Sequence, residues 1–179
     1  MRVKSKPLVL ATIGVLVAFL AAWASGYSLT VNTSVSMPRG LYLVGPLQEP
    51  ERGMIVAVCI PNQPAVKLYR ERDYLPASSR CAGGMAPVMK PIAGVPRDAV
   101  RIGALGTWIN ERQVPNSLVF DTDSQGLPIP HLPLGWSKRL DVGEYFLLAT
   151  HVERSLDSRY YGPVHRADMQ ARVIPLVTF

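Results

Sequence analysis

Between Lys6 and Arg39 the chain carries no charged residue, and within that interval Leu8 to Ala24 holds a single polar side chain, Thr12. A helix built from such a run has no polar face to offer water, so it belongs in lipid or in a fully apolar surround. The run has 17 residues, at the short end of the ~17–25 that span a bilayer. Trp23 and Tyr27 stand where interfacial aromatic anchors are found. Arg2, Lys4 and Lys6 precede the run and no cation follows until Arg39, which keeps the N-terminus cytoplasmic and places everything from Tyr27 onward outside. Residues 1–26 are therefore expected to form an anchor that binds membrane lipid through residues 8–24, and residues 27–179 a separate exported domain. The alternative is a cleaved signal sequence ending at Ala22-Trp23-Ala24, but the apolar run is longer than the ~7–15 residues usual for such signals.

The exported part retains sixteen basic against thirteen acidic residues of the whole chain's nineteen and thirteen. This small, mixed excess, without a basic run or interleaved aromatics, argues against a nucleic-acid partner. An exported domain sits where disulfides form, and Cys59 and Cys81 are the two cysteines present. A bridge is expected in preference to two free buried thiols; closing that loop would contribute about 3 kcal/mol in the chain-entropy picture.

Apolar or alternating runs at Leu41–Val44, Met54–Ile60, Val100–Ile102, Trp108–Ile109, Tyr145–Ala149 and Val173–Val177, punctuated by Gly and Pro, predict a mainly β domain. Sixteen prolines leave little room for long helices; short ones are expected around Ala65–Tyr74 and Arg166–Gln170. Asp121 to Pro133, with Gly126, Pro128 and Pro130, reads as a long surface loop and a poor place for catalysis.

Three short elements carry chemistry. Ser34-Val-Ser-Met-Pro38 places two hydroxyls two residues apart before a turn, and Ser36 is the candidate nucleophile. Lys90 lies in Ala86-Pro-Val-Met-Lys-Pro-Ile-Ala-Gly-Val-Pro96, with no charged residue within six positions. Apolar surroundings penalise an ammonium ion and lower its pKa, and a neutral amine is a competent general base. Lowering the pKa from ~10.4 to ~7 would require about 4.6 kcal/mol, a large part of the stability of a whole domain. The bland alternative is a lysine whose stem covers apolar surface while its head reaches water. Ser155-Leu-Asp-Ser-Arg-Tyr-Tyr-Gly-Pro163 is the third element, in which Asp157 and Arg159 lie on one face of a strand or bracket a turn and can pair.

Taken together, these elements resemble the type I signal peptidases, serine proteases with a Ser–Lys dyad. Ser34-x-Ser-Met matches the family's nucleophile box, Lys90-x-x-x-Gly94-x-Pro-Arg-Asp98 its lysine box, and Ser155-x-Asp-Ser-Arg-Tyr-x-Gly162 its last box. Order, spacing and the preceding apolar segment agree. Within the family the likeness is strongest to the small peptidases of conjugative transfer, which carry Ser-x-Ser-Met-Pro-x-Gly-x-Tyr and a cysteine pair and mature pilin precursors. The resemblance implies antiparallel sheets after one N-terminal transmembrane helix. It also implies a catalytic domain in the bacterial periplasm, tethered to the inner membrane, that works on a pilin precursor or another exported preprotein with no cofactor and no metal. Ser36 would attack a peptide carbonyl while neutral Lys90 takes its proton, and Ser155 would hydrogen-bond and aim the Lys90 amine. The Ser34 hydroxyl and the Ser36 N–H would hold the oxyanion, with Asp157 and Arg159 as structural support. The acyl-enzyme can be resolved by water or by the substrate's own N-terminal amine, giving a linear or a circular product.

Two features depart from the family pattern. Arg97 stands where glycine is usual before Asp98, and the Gly-Asp-Asn that precedes the last box in housekeeping leader peptidases is Ala149-Thr-His151 here. Two rival functions remain: a Ser-His-Asp hydrolase drawing on His131, His151 or His165, and a non-catalytic anchored channel component. The first lacks a distinctive nucleophile motif, and the second leaves Ser36 and Lys90 unexplained.

Overall fold

The computed structural model describes residues 5–61 and 64–179, excepting the side chains of residues 5–8, 19, 23 and 64. The apolar run lies within helix α1 (Ser5–Ala24), whose described side chains are exposed. Gly26, at a φ of +81°, ends it, and the Tyr27 N–H returns to the Ala22 carbonyl at 3.0 Å. This is the left-handed glycine stop common at helix C-termini. Among the described residues no helix is long and apolar enough to cross a membrane. The anchor expected over residues 8–24 therefore rests on the sequence.

The rest is β-rich. Strands β1 (Ser28–Asn32), β2 (Gly40–Gly45) and β3 (Ile55–Val58) precede helix α2 (Pro64–Glu71). Then come β4 (Val88–Gly94), β5 (Ala99–Gly103), β6 (Gly106–Ile109), β7 (Arg112–Gln113), β8 (Ser137–Arg139) and β9 (Glu144–Leu147). The four-residue helix α3 (Ser158–Tyr161), β10 (Val164–His165) and β11 (Met169–Thr178) close the chain. Seven strands form one antiparallel sheet in the order β1-β2-β11-β3-β4-β9-β10, and β7-β6-β5-β8 form a second. The expected Asp121–Pro133 loop is irregular apart from a single bridge between Thr122 and Pro128.

The strand between the two cores is β9. Tyr145 and Leu147 pack with Val56, Val58, Ile92 and Val164, whereas Phe146 packs with Val100, Ile102 and Leu140. Both faces are covered, which is why the sequence there is continuously apolar rather than alternating. Helix α2 closes one side of the larger core with Val66 and Tyr69, one helical turn apart, and leaves the Lys67–Glu71 pair outside. Cys59, just past β3, and Cys81 are joined in a disulfide that ties the segment after α2 to the main sheet.

Two expectations need correction. The helix expected over Arg166–Gln170 is a 3-10 turn over Arg166–Asp168, and the chain is already extended at Met169. The Asp168 carbonyl accepts the Cys59 N–H at 2.9 Å and Met169 pairs with Val58, so sheet pairing overrides local helix propensity. Strand β4, the strand of Lys90, was absent from the expected set because Pro87 and Pro91 flank the lysine, and proline inside a run argues against a central strand.

Gly40 opens β2 at a φ of +147°, and a Cβ there would lie 2.0 Å from the Val177 carbonyl of β11. Gly40→Ala is expected to cost about 2–5 kcal/mol, from backbone strain and overpacking together. Chemical denaturation checks this: an unchanged midpoint would mean that β11 yields to the added methyl.

Candidate active site

Ser36 lies in the seven-residue connection between β1 and β2, and Lys90 lies at the middle of β4, on the other side of β2, β11 and β3. At about 4.8 Å per strand, a flat sheet would hold β1 and β4 roughly 19 Å apart. Twist and coiling of the sheet, with the reach of the loop and of the lysine stem, close that distance. The Lys90 Nζ donates to Ser36 Oγ at 2.6 Å.

Burial alternates along β4, and Lys90 shares its inward face with Val88 and Ile92 of the larger core. The lysine is 4% exposed, so the alternative of a head reaching bulk water does not hold. Burial pulls its pKa down from 10.5 to about 8; the nearby Asp157 carboxylate opposes the fall and the Arg159 guanidinium adds to it. At pH 7 roughly one molecule in ten then carries a neutral amine, against fewer than about one in a thousand for an ordinary lysine. A hydroxyl 2.6 Å from such an amine can pass it a proton while attacking an electrophile.

The Ser34 hydroxyl is 3.1 Å from Ser36 Oγ and accepts the Ser36 N–H at 3.3 Å. The two groups expected at an oxyanion are therefore neighbours, with the Ser36 N–H bonded to the Ser34 hydroxyl. Ser34, Ser36, Lys90 and Ser155 all line one cleft of about 1130 Å³, with Leu29, Val31, Ala57, Met89, Ile129 and Ala171 among its apolar walls. Thr122, Asp123 and Ser124 of the proline-rich loop also reach it, so the loop is a wall of the cleft although it carries no member of the constellation. The three histidines do not line the cleft; His131 is engaged with Asp121 and the Leu132 carbonyl.

Ser155 departs from expectation. Its hydroxyl is buried with no hydrogen-bond partner among the described residues, and no bond to the Lys90 amine is formed. Its backbone is held instead, by the Arg159 Nη2 on its carbonyl at 3.2 Å. The amine donates to Ser36 Oγ instead.

Asp157 and Arg159 are wholly buried and form a fork, Nε to Oδ1 and Nη2 to Oδ2, each at 2.8 Å. Asp157 also caps α3 by accepting the Arg159 N–H at 3.3 Å, and it accepts the Ala149 N–H at 3.2 Å. Every lone pair of a buried carboxylate needs such donors. Ala149-Thr-His151, which stands where housekeeping enzymes have Gly-Asp-Asn, thus supplies a backbone donor to this ion pair.

Asp98 pins the turn after β4. Burial pushes its carboxyl upward, but hydrogen bonds from the Val95 N–H, Asn110 and Arg52 outweigh it and hold the pKa below the usual range. Arg97 before it adopts a φ of +74°, the left-handed region that favours glycine. This accounts for the family's usual residue at that position. Arg97→Gly is expected to stabilise the protein by about 0.5–1 kcal/mol, read as a higher thermal midpoint; a lower one would mean that the arginine side chain makes a compensating contact.

One residue escaped the sequence reading. Asn32, the last residue of β1, is buried beside the loop that carries Ser36; its Oδ1 accepts the Ser34 N–H at 3.1 Å. An Asn followed two residues later by a bonded N–H is an Asx turn, a signal that Asn-Thr-Ser offered.

The antiparallel sheet thus brings a buried lysine into contact with a loop serine inside one cleft. The chain belongs to the family described as "Signal peptidase, peptidase S26", whose model matches residues 3–177. Among curated proteins it is similar to a plasmid transfer protein TraF of Escherichia coli, 31% identical over 166 residues, 93% of this chain and 92% of that one. It is similar also to a probable conjugal transfer protein TraF of Sinorhizobium fredii, 30% identical over 183 residues, 99% of this chain and 93% of the other. The conjugal transfer protein TraF of Agrobacterium tumefaciens is 34% identical over 160 residues, 89% and 86% of the two chains. Among solved structures, a signal peptidase I of Enterococcus faecalis aligns with a TM-score of 0.38 at 21% identity, covering 73% of this chain and 99% of that one.

Proposed function

We propose that this chain is a Ser–Lys endopeptidase that matures a small conjugative pilin precursor at the outer face of the bacterial inner membrane. The observation that carries the reading is the 2.6 Å contact between the buried Lys90 amine and Ser36 Oγ at the floor of the cleft. Membership of a signal peptidase family and likeness to conjugal transfer proteins support the substrate class.

In this mechanism neutral Lys90 accepts the Ser36 proton as Oγ adds to the scissile carbonyl, and the Ser34 hydroxyl and Ser36 N–H stabilise the oxyanion. The Lys90 ammonium then protonates the departing amine, leaving an ester on Ser36. Water completes hydrolysis; the substrate's own N-terminal amine would instead close a circle. Apolar walls favour a small residue such as Ala or Gly on the acyl side of the bond over a charged one. Residues 8–24 anchor the protein in lipid with the N-terminus cytoplasmic and the catalytic domain periplasmic. Ser36 lies only twelve residues beyond Ala24, which keeps it near the membrane face where such a precursor is delivered.

The test is to incubate the full-length protein with the pilin precursor encoded beside it and weigh the product intact. A trimmed product, linear or lighter than it by one water, supports the reading. An unprocessed pilin precursor alongside a cleaved general preprotein would make the chain a general leader peptidase. No cleavage of either would leave it a non-catalytic channel component.

A further inference from the structure

The Asn32 side chain sits inside the loop that carries Ser36. Its amide Nδ2 donates toward three carbonyls, Ser34 at 3.0 Å, Met37 at 3.1 Å and Pro38 at 3.0 Å, while its Oδ1 accepts the Ser34 N–H. The amide has two hydrogens, so one is shared between carbonyls. Asn32 itself is fixed from outside the loop: its backbone is paired with Gly40 as the last rung of β1 and β2, and the residue is 6% exposed. Ser34 is thus held at both its N–H and its carbonyl, and Met37 and Pro38 at their carbonyls. Only Val35 and Ser36 lie between the two clamped points. The peptide plane carrying the Ser36 N–H spans those two residues, and the Ser34 hydroxyl hangs from the clamped side.

Resting on Ser36 being the nucleophile, we infer that Asn32 is the positioning residue of the oxyanion donors, holding the Ser36 N–H and the Ser34 hydroxyl in register with the attacking oxygen. Its side-chain hydrogen bonds go to Ser34, Met37 and Pro38, and not to Lys90 or Ser36 Oγ. Its loss should therefore slow the chemical step without altering the proton acceptor. Without the amide, three carbonyl oxygens that converge on one point repel one another, and the loop relaxes away from the arrangement that suits an oxyanion. A displacement of about 1 Å at a reacting centre is enough to lower a rate by about 100-fold.

The experiment measures acylation of the full-length protein by a penem-type β-lactam, following the Ser36 adduct by intact mass over a range of inhibitor concentrations and pH. Asn32→Ala is expected to lower the maximal acylation rate by about 30- to 100-fold, with the half-saturating inhibitor concentration within about threefold of wild type and the pH midpoint unchanged. Thr107→Val is the control for losing a buried hydrogen bond, because Thr107 Oγ1 donates to the Ser117 carbonyl in the second sheet, away from the cleft. That variant should acylate within about threefold of wild type. Should Asn32→Ala not fold, Asn32→Ser, whose hydroxyl retains one donor, is read by the same criteria and should show an intermediate loss. A near-wild-type rate in the folded Asn32 variant overturns the inference. So does an equal loss in Thr107→Val, or a shifted pH midpoint in Asn32→Ala. A wild-type protein that forms no adduct, or a Ser36→Ala protein that still forms one, overturns the nucleophile itself and the inference with it.

Discussion

Lys90→Met is expected to abolish acylation of Ser36, by about four orders of magnitude or more, and to make the protein more stable at neutral pH. The first effect follows because, among the described residues, Lys90 is the one base bonded to Ser36 Oγ: the three histidines lie outside the cleft, Asp157 is occupied by Arg159 and the Ala149 N–H, and Asp123, on the cleft wall, is bonded to Arg72 and Tyr74. The second follows from burial. A lysine whose pKa falls from 10.5 to about 8 on folding opposes folding at pH 7 by on the order of 3 kcal/mol. Its folded-state pKa lies below the unfolded value, so the penalty is fully present below about pH 8 and fades as pH rises toward 10.5. Wild-type stability should therefore climb through that window relative to Lys90→Met, and urea denaturation at several pH values measures the difference. Lys90→Arg should be equally inactive, since a guanidinium cannot give up its proton. A Lys90→Met protein less stable than wild type at pH 7 would mean that the amine makes compensating interactions beyond its bond to Ser36.

Arg159→Met carries the largest expected loss of stability, about 3–5 kcal/mol. The arginine is fully buried, forks onto Asp157 and donates to the Leu118 and Ser155 carbonyls. Removing it strands the Asp157 carboxylate with only backbone donors and leaves two carbonyls unmatched. Joint replacement of Asp157 by Leu and Arg159 by Met should recover much of the loss, because an apolar pair of similar volume avoids desolvating two charges. The pair also acts on Lys90. Asp157 raises the lysine pKa and Arg159 lowers it, so Asp157→Asn should move the acid limb of activity to lower pH and Arg159→Met to higher pH. Thermal denaturation and pH–rate profiles of the two single variants separate the structural from the electrostatic part. Equal stability of Arg159→Met and wild type would contradict the burial assigned to the pair.

Much of this was legible in the sequence where side chains repeat a pattern. Val100–Ile102 and Tyr145–Ala149 announce strands because their apolar residues meet a core on one or both faces, whereas in Val173–Val177 only Val173 is buried and Leu176 and Val177 are exposed, so that run is legible from its composition alone. The strand of Lys90 was illegible because Pro87 and Pro91 mimic loop signals, even though Val88, Lys90 and Ile92 alternate inward. Helix α3 is four residues long, too short for any periodicity; its ion pair could be read from Asp157 and Arg159, but its cap could not. The meeting of Ser36 with Lys90, 54 residues apart, follows from sheet coiling and from no local pattern, so only resemblance to a family anticipated it. The same resemblance implied a hydrogen bond from Ser155 to Lys90, and the Ser155 hydroxyl has no partner among the described residues.

The central claim is that a neutral Lys90 activates Ser36, and the pH dependence of single-turnover Ser36 acylation tests it most directly. With Lys90 at a pKa of about 8, the rate should rise with pH through a single midpoint near that value and reach a plateau above it, with no adduct in Lys90→Arg at any pH. A rate flat across that range, or an adduct forming in Lys90→Arg at the wild-type rate, would contradict it.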